Sequence, residues 1–416
     1  MSDRSKRQPL ARHGRLRSPG PIRQLMKLLG VACCVVLVAT LGVAAYAAYD
    51  FDSTFSADEV VLDGQEQAAP DIGELDNVGV NILLVGLDAC EDAYKDLFPG
   101  RCDQAEDYGD TARYEALNDV NMMVHISAEP RRVTVVSFPR DLMIPIPECE
   151  DYEGNVTPAS DYAQLNEANS RGQLNCVVNT IEQLSGQTID YAATITWGGV
   201  IEITNAIGGV DVCVGGDGIY DDNTGLAMAP GEYNLAGQDA LEFLRTRYGV
   251  GDGSDLGRIS NQQVYMSALV RKLTSSEVLT NPATLLSLAR TTLENVDPSS
   301  SLTDPVILAR IAAAVASVSQ SDYTFVQYPV AISGERVVPI ESDADALWEA
   351  IEANEPFVAA GDAGVAGSED SDETASPTPT ESSSATPDPT ESSGSVEIDV
   401  SGQTADEVTC SSGQGQ

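Results

Sequence analysis

Asp88, Asp119 and Asp141 each stand at the end of an apolar stretch of the sequence, and Arg140 adjoins the last of them. Carboxylates at the ends of adjacent strands can share one hard cation through oxygen ligands, which Mg²⁺ prefers. A guanidinium beside them suits a phosphate group, because the two match with parallel hydrogen bonds. The competing explanation is that each strand-end aspartate simply caps a turn. Because two of these aspartates lie at one rim beside an arginine, a cation site explains their positions as well as turn capping does.

A second group of candidate residues, Arg245, Arg247, Arg258 and Gln262, flanks a glycine-rich loop at 249–257. In a continuous helix Arg245 and Arg247 would point about 200° apart, so both face one site only where the helix ends. Gln262 lies one turn after Arg258 and on the same helical face. Three guanidiniums near such a loop indicate an anion-binding site. Salt-bridged surface arginines are the alternative in so acidic a protein.

These residues need a sheet to bring them together. Residues 80–87 form a continuous apolar run, which predicts a buried strand that ends at the first of the aspartates. Residues 120–126 and 133–138 are rich in β-branched side chains and are separated by the turn-forming sequence SAEPRR, which predicts a β-hairpin. In such a hairpin the start of the first strand lies beside the end of the second, so Asp119 and Arg140 should meet at one rim.

The rest of the middle of the chain alternates between helical and strand patterns. Residues 145–172 indicate an irregular polar stretch broken by prolines. Further helices are predicted at 173–184, 200–207, 235–247, 258–273, 282–294, 304–318 and 343–351, and further strands at 191–196, 210–214 and 323–330. This alternation predicts a layered α/β domain.

The two ends of the chain differ from this domain in composition. A basic segment precedes an uncharged apolar stretch of about 22 residues, which can span a bilayer with the N-terminus in the cytoplasm. An A-Y-A sequence at 45–47 allows a cleaved signal peptide instead, although the apolar run is long for one. The predicted division is 1–27 cytoplasmic segment, 28–49 transmembrane helix, 50–78 stalk, 79–357 extracellular domain and 358–416 disordered, acidic Ser/Thr/Pro-rich tail.

Charge and cysteines limit the possible functions further. The formal net charge is -41, and the predicted extracellular part is acidic, which argues against nucleic-acid binding through overall charge. The cysteines beyond the apolar stretch are even in number and predicted to lie in an oxidising compartment, which indicates disulfides, although many pairings are possible. The favoured pairs are Cys90–Cys102, Cys149–Cys176 and, as the remainder, Cys213–Cys410.

Several kinds of active site are absent from the sequence. It contains no G-x-x-x-x-G-K-[ST] loop, no H-E-x-x-H and no G-x-S-x-G motif. Of the 2 histidines, His13 lies in the basic head and His125 lies inside a predicted buried strand. A Ser-His-Asp or zinc mechanism is therefore disfavoured. The carboxylates, arginines and hard metal that remain suit a phosphoryl or pyrophosphate substrate better than an acyl one.

Six sequence blocks, in this order and spacing, resemble the LytR-CpsA-Psr family. They are NILLVGLD (81–88), DVNMMVHI (119–126), VTVVSFPRD (133–141), AIGGVDV (206–212), LAGQDALEFLRTR (235–247) and DLGRISNQQ (255–263). The resemblance covers residues 80–275 and continues in the helical part to 355. It implies a three-layer α/β/α domain with a central mixed sheet, and an apolar channel that holds a polyprenyl chain.

The resemblance also implies an activity and residue roles. Members are magnesium-dependent transferases that move a glycopolymer from a polyprenyl-pyrophosphate carrier to a peptidoglycan hydroxyl. The family's motifs place Asp88 and Asp119 on the Mg²⁺ ion. The residues implied to grip the pyrophosphate are Arg140, Arg245, Arg247, Arg258 and Gln262. Asp119 and Asp141 are candidates for the group that takes the hydroxyl proton.

The sequence departs from the family just before Asp119. Leu117 stands where the family often has an arginine, Arg113 is a candidate substitute in the same loop, and Asn261 replaces a frequently basic residue. We therefore expect a membrane-anchored glycopolymer–peptidoglycan ligase with its domain outside the cell, whose partners are the lipid-linked glycopolymer, peptidoglycan and the membrane. The alternatives are a pyrophosphatase that acts on the same lipid-linked glycan, or a non-enzymatic wall-associated regulatory or scaffold protein.

Overall fold

The computed structural model describes residues 60–63, 79–98, 102, 110–359, 368–370, 396–398 and 400–413. All of them belong to one compact unit of the chain, Thr54–Gln416. The predicted cytoplasmic segment 1–27, the predicted transmembrane helix 28–49 and most of the predicted stalk 50–78 lie outside these residues. Within the described ranges, no helix combines the length and apolar character needed to cross a bilayer.

Many short strands and nine helices make up the described part of the chain. The strands are β1 Val80–Leu87, β2 Asn118–Ile126, β3 Val133–Phe138, β4 Met143–Ile146, β5 Cys149–Glu150, β6 Val156–Thr157, β7 Ser160–Gln164, β8 Tyr191–Ile195, β9 Val210–Gly215, β10 Ile219–Asp221, β11 Leu226–Met228, β12 Gly231–Leu235, β13 Val296–Pro298, β14 Tyr323–Gln327, β15 Val330–Ser333, β16 Arg336–Pro339, β17 Phe357–Ala359, β18 Ser368–Asp370, β19 Val396–Ile398, β20 Gly402–Thr404 and β21 Thr409–Ser412. The helices are α1 Asp110–Tyr114, α2 Ala168–Ser185, α3 Trp197–Ala206, α4 Gly237–Arg245, α5 Asp255–Leu273, α6 Ser276–Leu279, α7 Pro282–Asn295, α8 Pro305–Ala316 and α9 Glu341–Glu352.

The largest sheet has seven strands in the order β13-β8-β1-β2-β3-β14-β20. Strands β1, β2 and β3 are antiparallel neighbours, whereas β8 runs parallel to β1 and β14 runs parallel to β3. Every residue of β3 is buried, which explains its continuous apolar sequence. The predicted mixed α/β fold and the predicted hairpin are therefore confirmed, and the hairpin lies at the centre of the sheet.

Hydrophobic clusters lie on both faces of this sheet. Side chains of a strand alternate between faces, and accordingly Leu83 and Val85 join one cluster while Ile82 joins the other. The first cluster includes side chains of α2 and α9, such as Ile181 and Leu347. The second includes side chains of α5 and α8. Helices thus cover the sheet on both sides and leave the strand ends free to carry polar groups.

The prediction that residues 358–416 form a disordered tail is wrong for their last part. Strand β20 pairs with β14 at the edge of the large sheet, and β21 pairs in parallel with β9. Val400 and Ala405 are buried, and a disulfide joins Cys410 to Cys213. Composition missed this because a few apolar side chains and a covalent link are enough to fix short strands against an existing core.

Two further sequence predictions concern the polar stretch and the cysteines. Residues 145–172 are not wholly irregular, because half of β4 and all of β5, β6 and β7 fall there and form small paired ribbons. These ribbons are too short for a hydrophobic period to mark them. The three favoured disulfides, Cys90–Cys102, Cys149–Cys176 and Cys213–Cys410, are all confirmed.

Candidate functional site

Asp119 and Arg140 meet at the rim of the hairpin, as the strand pattern predicts. Pairing of Asn121 with Phe138 places the residues beyond this pair side by side. Arg140 Nη1 lies 2.5 Å from Asp119 Oδ2, and the amide of Asn166 donates to Asp119 Oδ1 at 3.3 Å. Both oxygens of this carboxylate therefore face donors of the protein itself.

The first turn of α5 brings a second aspartate and a second arginine to the same rim. The hydroxyl of Ser254 caps this helix by accepting from a backbone N–H. Arg258 Nη2 lies 2.7 Å from Asp255 Oδ1 and donates to the backbone oxygen of Asp119 at 2.8 Å. Arg140 Nε lies 3.3 Å from the same Asp255 oxygen. We call Asp119, Arg140, Asp255 and Arg258 the four-charge cluster.

The four-charge cluster combines burial with leftover hydrogen-bonding capacity. The Asp255 and Arg258 side chains are only 6% and 8% exposed. Burial lowers the pKa of Arg140, but the neighbouring carboxylates, chiefly Asp119, outweigh this effect and raise the pKa above its usual value. Among the described residues, Asp255 Oδ2 and the Nε atoms of both arginines are buried and make no hydrogen bond. Buried polar atoms of this kind favour a polar ligand.

Asp255 is a functional candidate that the sequence analysis did not select. It lies inside the quoted block DLGRISNQQ, three residues before Arg258, and a spacing of three places both side chains on one helical face. That spacing was the available signal. Because Asp255 contacts both arginines at once, it is the carboxylate that balances the charge of the second one.

The Asp141 carboxylate pairs with a more distant arginine of the chain rather than with its neighbour Arg140. Arg336 Nη1, on β16, lies 2.7 Å from Asp141 Oδ1, whereas Arg140 Nε lies 3.9 Å from Asp141 Oδ2. The carboxylate is therefore already paired, and its role as a base stays a prediction. No local pattern marks Arg336, because only tertiary folding brings it to the rim.

Arg245 and Arg247 lie on either side of the end of α4, which is the condition for both to face one site. The helix ends at Arg245, because Thr246 has a non-helical ψ of 129°. The guanidinium of Arg245 lies 4.0 Å from the centroid of the Trp197 ring and 5.2 Å from that of Phe98. Arg247 lies 5.4 Å from the ring centroid of its neighbour Tyr248. These distances are typical of cation–π contacts.

The loop after Arg247 is held by backbone contacts. Asp221 accepts hydrogen bonds from the backbone N–H groups of Arg247 and Tyr248, each at 3.1 Å. Burial raises the pKa of Asp221, but these bonds outweigh it and keep the pKa below its usual value. Gly251 and Gly253 have φ values of 54° and 79°, which explains why glycine stands at these two positions of the loop.

Gln262 and Asn261 contact the backbone at the end of α4. The Gln262 amide donates to the Leu244 oxygen at 3.0 Å, and the Asn261 amide donates to the Phe243 oxygen at 2.6 Å. These bonds satisfy carbonyl groups that a helix end leaves unpaired. Helix α5 thus fixes the position of the segment that carries Arg245. The predicted contact of Gln262 with phosphate remains a prediction.

Asp88 stands at the same edge of the sheet as Asp119, one strand away. It follows the last residue of β1, its backbone N–H donates to the Leu117 oxygen at 2.9 Å, and Leu87 pairs with Asn118. Within the described ranges, no group of three or more His, Cys, Asp or Glu residues is arranged to hold a metal ion. Two carboxylates nevertheless fit Mg²⁺, which commonly takes one or two carboxylates and completes its shell with water and phosphate oxygens.

Arg113 does not replace the arginine that is missing at Leu117. Its guanidinium lies 2.9 Å from Asp297 and 3.4 Å from Glu91, so it is paired with carboxylates that do not belong to the four-charge cluster. Leu117 itself is 37% exposed. The rim therefore presents an uncovered apolar side chain at the position where the family often has a cation.

Comparison with known proteins gives a consistent picture. The model of the LytR_cpsA_psr family matches residues 46–348. Cell wall biosynthesis protein LcpA of Corynebacterium glutamicum is 30% identical over 228 residues, which are 50% of this chain but only 42% of LcpA. The polyisoprenyl-teichoic acid–peptidoglycan teichoic acid transferase TagT of Bacillus subtilis is 24% identical over 258 residues, covering 60% of this chain and 71% of TagT.

A solved structure shows the same fold. Protein gbs0355 of Streptococcus agalactiae superposes with a TM-score of 0.54 at 18% identity, over 68% of this chain and 90% of that protein. This chain matches less than half of LcpA's own length, so that match describes a shared domain rather than the whole of LcpA.

Proposed function

Because the chain belongs to the LytR-CpsA-Psr family, we propose that it is a cell-wall ligase that transfers a glycopolymer from a polyprenyl-pyrophosphate carrier to a peptidoglycan hydroxyl. The observation that carries the proposal is the convergence of Arg140 and Arg258 on one rim, where both contact Asp119. Residues 28–49 would anchor the protein in the membrane, with the domain outside. The names of TagT and LcpA, a teichoic acid transferase and a cell wall biosynthesis protein, support this class of activity.

The reaction proposed here is an attack on phosphorus. The oxygen of a sugar hydroxyl forms a bond to the phosphorus nearer the glycan, and the bond from that phosphorus to the bridging oxygen breaks. Polyprenyl phosphate leaves with the bridging oxygen, and the glycan becomes joined through a phosphodiester. Arg140 and Arg258 would neutralise the pyrophosphate, since guanidiniums hold phosphate oxygens with parallel hydrogen bonds.

The carboxylates of the rim give the arginines a partner before substrate binds. The buried guanidinium of Arg258 and the partly buried one of Arg140 are tolerated because Asp119 and Asp255 balance their charge. A pyrophosphate that enters would compete with these aspartates for the same N–H groups. The hydroxyl proton would pass to a carboxylate of the rim, and Asp119 is a better candidate than Asp141, whose carboxylate is paired with Arg336.

We propose Mg²⁺ as the cofactor, with Asp88 and Asp119 as its ligands. Their position at adjacent strand ends and their oxygen chemistry support this choice. A bound Mg²⁺ ion would stabilise charge that develops on the phosphoryl oxygens. Asp119 would hold the ion beside Arg140, whose guanidinium would hold a phosphate oxygen.

The test compares full-length variants in a turnover assay with a polyprenyl-pyrophosphate-linked glycan and peptidoglycan. Replacing Arg258 or Asp88 with alanine should lower the rate by roughly 100-fold or more, as loss of a charge-stabilising group does. Arg290→Ala is the matched control, because Arg290 is 74% exposed on α7. Wild-type turnover in the Arg258 and Asp88 variants would contradict the site. Release of free glycan phosphate in the presence of acceptor would favour the pyrophosphatase alternative, and substrate binding without turnover would favour the scaffold.

A further inference from the structure

A cavity of about 390 Å³ lies beside the rim. Its lining residues belong neither to the four-charge cluster nor to the loop after α4. Its walls include the end of β1, helix α1, the turn after β5 and the start of α2. The volume is typical of a site for a small ligand or for a short stretch of a polymer. We call it the tyrosine groove, after Tyr114 and Tyr152, which line it.

Tyr114 and Tyr152 make an aromatic wall. Their ring centroids are 4.4 Å apart with an interplanar angle of 38°, and Tyr152 is 59% exposed. Burying a large aromatic side chain would stabilise the protein, so a pair held together at an open surface favours contact with a ligand. The apolar face of a pyranose ring, which carries only C–H groups, is a natural partner for such a wall.

The polar residues of the groove suit hydroxyl and amide groups. Glu150, Gln173 and Asn175 line it next to the tyrosines and offer both acceptors and donors. The Gln173 side chain accepts from the Tyr152 backbone N–H at 3.0 Å, and this bond helps to place the tyrosine. A ring of polar groups around an aromatic face is the arrangement that recognises an uncharged sugar.

The charge of the groove argues against an anionic occupant. Glu150, Asp151 and Asp297 are carboxylates, whereas Arg113 is the only guanidinium among the described lining residues. That guanidinium lies 2.9 Å from Asp297 and is therefore already neutralised. A phosphate-rich polymer would be repelled from these walls. An uncharged saccharide would not.

The groove and the four-charge cluster share a wall. Asn169 lines the groove, and its backbone N–H donates to the Asn118 side chain at 2.9 Å. Asn166, less than one helical turn before it, donates to Asp119. Leu87 also lines the groove and directly precedes Asp88. A chain in the groove would thus reach the strand ends where phosphate is proposed to bind.

We infer that the tyrosine groove binds the acceptor as an uncharged amino-sugar chain, with a sugar ring packed on Tyr152 and a hydroxyl directed toward Asp119. The acceptor role rests on the proposed function, whereas saccharide binding does not. The groove would keep the anionic donor polymer and the neutral acceptor on separate surfaces, because their charges differ.

The test measures binding without any lipid donor. Tetra-N-acetylglucosamine is titrated into full-length protein in detergent micelles, and heat is recorded by isothermal titration calorimetry. Wild-type protein should bind it, and Tyr152→Ala should weaken binding at least about tenfold. Tyr162→Ala is the matched control, since Tyr162 is 61% exposed but lies outside the groove. A tetramer of galacturonic acid, which is anionic, should bind at least about tenfold more weakly than the neutral sugar.

The binding and turnover results together separate the groove proposal from the proposed ligase function. Absence of saccharide binding, equal binding by Tyr152→Ala, or equal binding of the anionic tetramer overturns the groove proposal even if ligase turnover is present. Binding that depends on Tyr152 in a protein that shows no turnover keeps the groove and overturns the ligase function. In the turnover assay, Tyr152→Ala should raise KM for the acceptor without changing KM for the lipid donor.

Discussion

The ionisable side chains at the two ends of β2, Asp119 and His125, differ in whether they have charged partners. At one end, the Asp119 carboxylate lies between the guanidinium groups of Arg140 and Arg258. At the other end, His125 Nδ1 lies 2.8 Å from the Asn81 side-chain oxygen, and burial lowers its pKa to about 4. The same strand therefore holds a paired charge at one end and a side chain that is neutral at pH 7 at the other.

The difference shows what a buried charge requires. A group without an opposite charge gives up its own charge when water is removed, because the charged form is poorly solvated inside the protein. A group that must keep its charge needs partners, and each partner then depends on it. The charged end of β2 is costly to build, which indicates that the charges serve the chemistry of the site rather than the fold.

Removing one member of the four-charge cluster should have the largest effect. Arg258→Met keeps the length of the side chain but leaves the buried Asp255 without its 2.7 Å partner. We expect the free energy of unfolding to fall by about 3–5 kcal/mol, measured by urea titration at pH 7. Adding Asp255→Asn should restore part of the loss, because it removes a buried carboxylate whose remaining partner is Arg140 at 3.3 Å. A loss below about 1 kcal/mol would show that the cluster is effectively solvated.

The contribution of His125 to the free energy of unfolding should depend on pH. Because the pKa of His125 is lowered from 6.5 to about 4 by burial, the unfolded chain binds more protons than the folded one between these values. Its contribution is complete above about pH 6.5 and is lost as the pH falls to about 4, a change of about 3 kcal/mol. His125→Gln should remove this part of the acid sensitivity. Equal pH dependence of urea unfolding in both proteins would contradict the prediction.

Arg245 shows a third way of stabilising a charge, which is to pack it against aromatic rings. Arg245→Lys keeps the charge but loses the planar contact with Trp197 and Phe98. We expect a loss of about 1 kcal/mol in the free energy of unfolding, well below the effect at Arg258. Arg290→Lys, at an exposed position on α7, serves as the control and should be neutral. A loss as large as that of Arg258→Met would show that Arg245 depends on carboxylates instead.

The smallest effect should come from adding a charge to the charged end. Leu117→Arg introduces a guanidinium at a side chain that is 37% exposed, so stability should change by less than about 0.5 kcal/mol. KM for the lipid-pyrophosphate donor should fall up to about fivefold, the size of an exposed ion pair. An unchanged or higher KM would show that position 117 does not face the phosphate.

Local patterns predicted the elements that carry the site. Strand β1 and the hairpin were predicted to within two residues, because apolar runs and turn residues report burial directly. The meeting of Asp119 and Arg140 followed from hairpin geometry alone. Asp255 was missed although its spacing of three residues from Arg258 was a local signal. Arg336 was missed because pairing between distant parts of a chain leaves no periodic signal. The last part of the tail was wrongly predicted to be disordered because that prediction rested on average composition. A single residue, Cys410, links this segment to the core through a disulfide.

The last described strand has a consequence for the order of synthesis. Strand β21 lies against β9, Ser412 accepts from the Gly251 backbone N–H, and Ser411 bonds to Asn261 on α5. Cys410 is made 197 residues after its partner Cys213. A growing chain therefore forms the loop after Arg247 long before the strand that supports it exists. The loop after Arg247 and helix α5 therefore gain these contacts only once translation has passed residue 412.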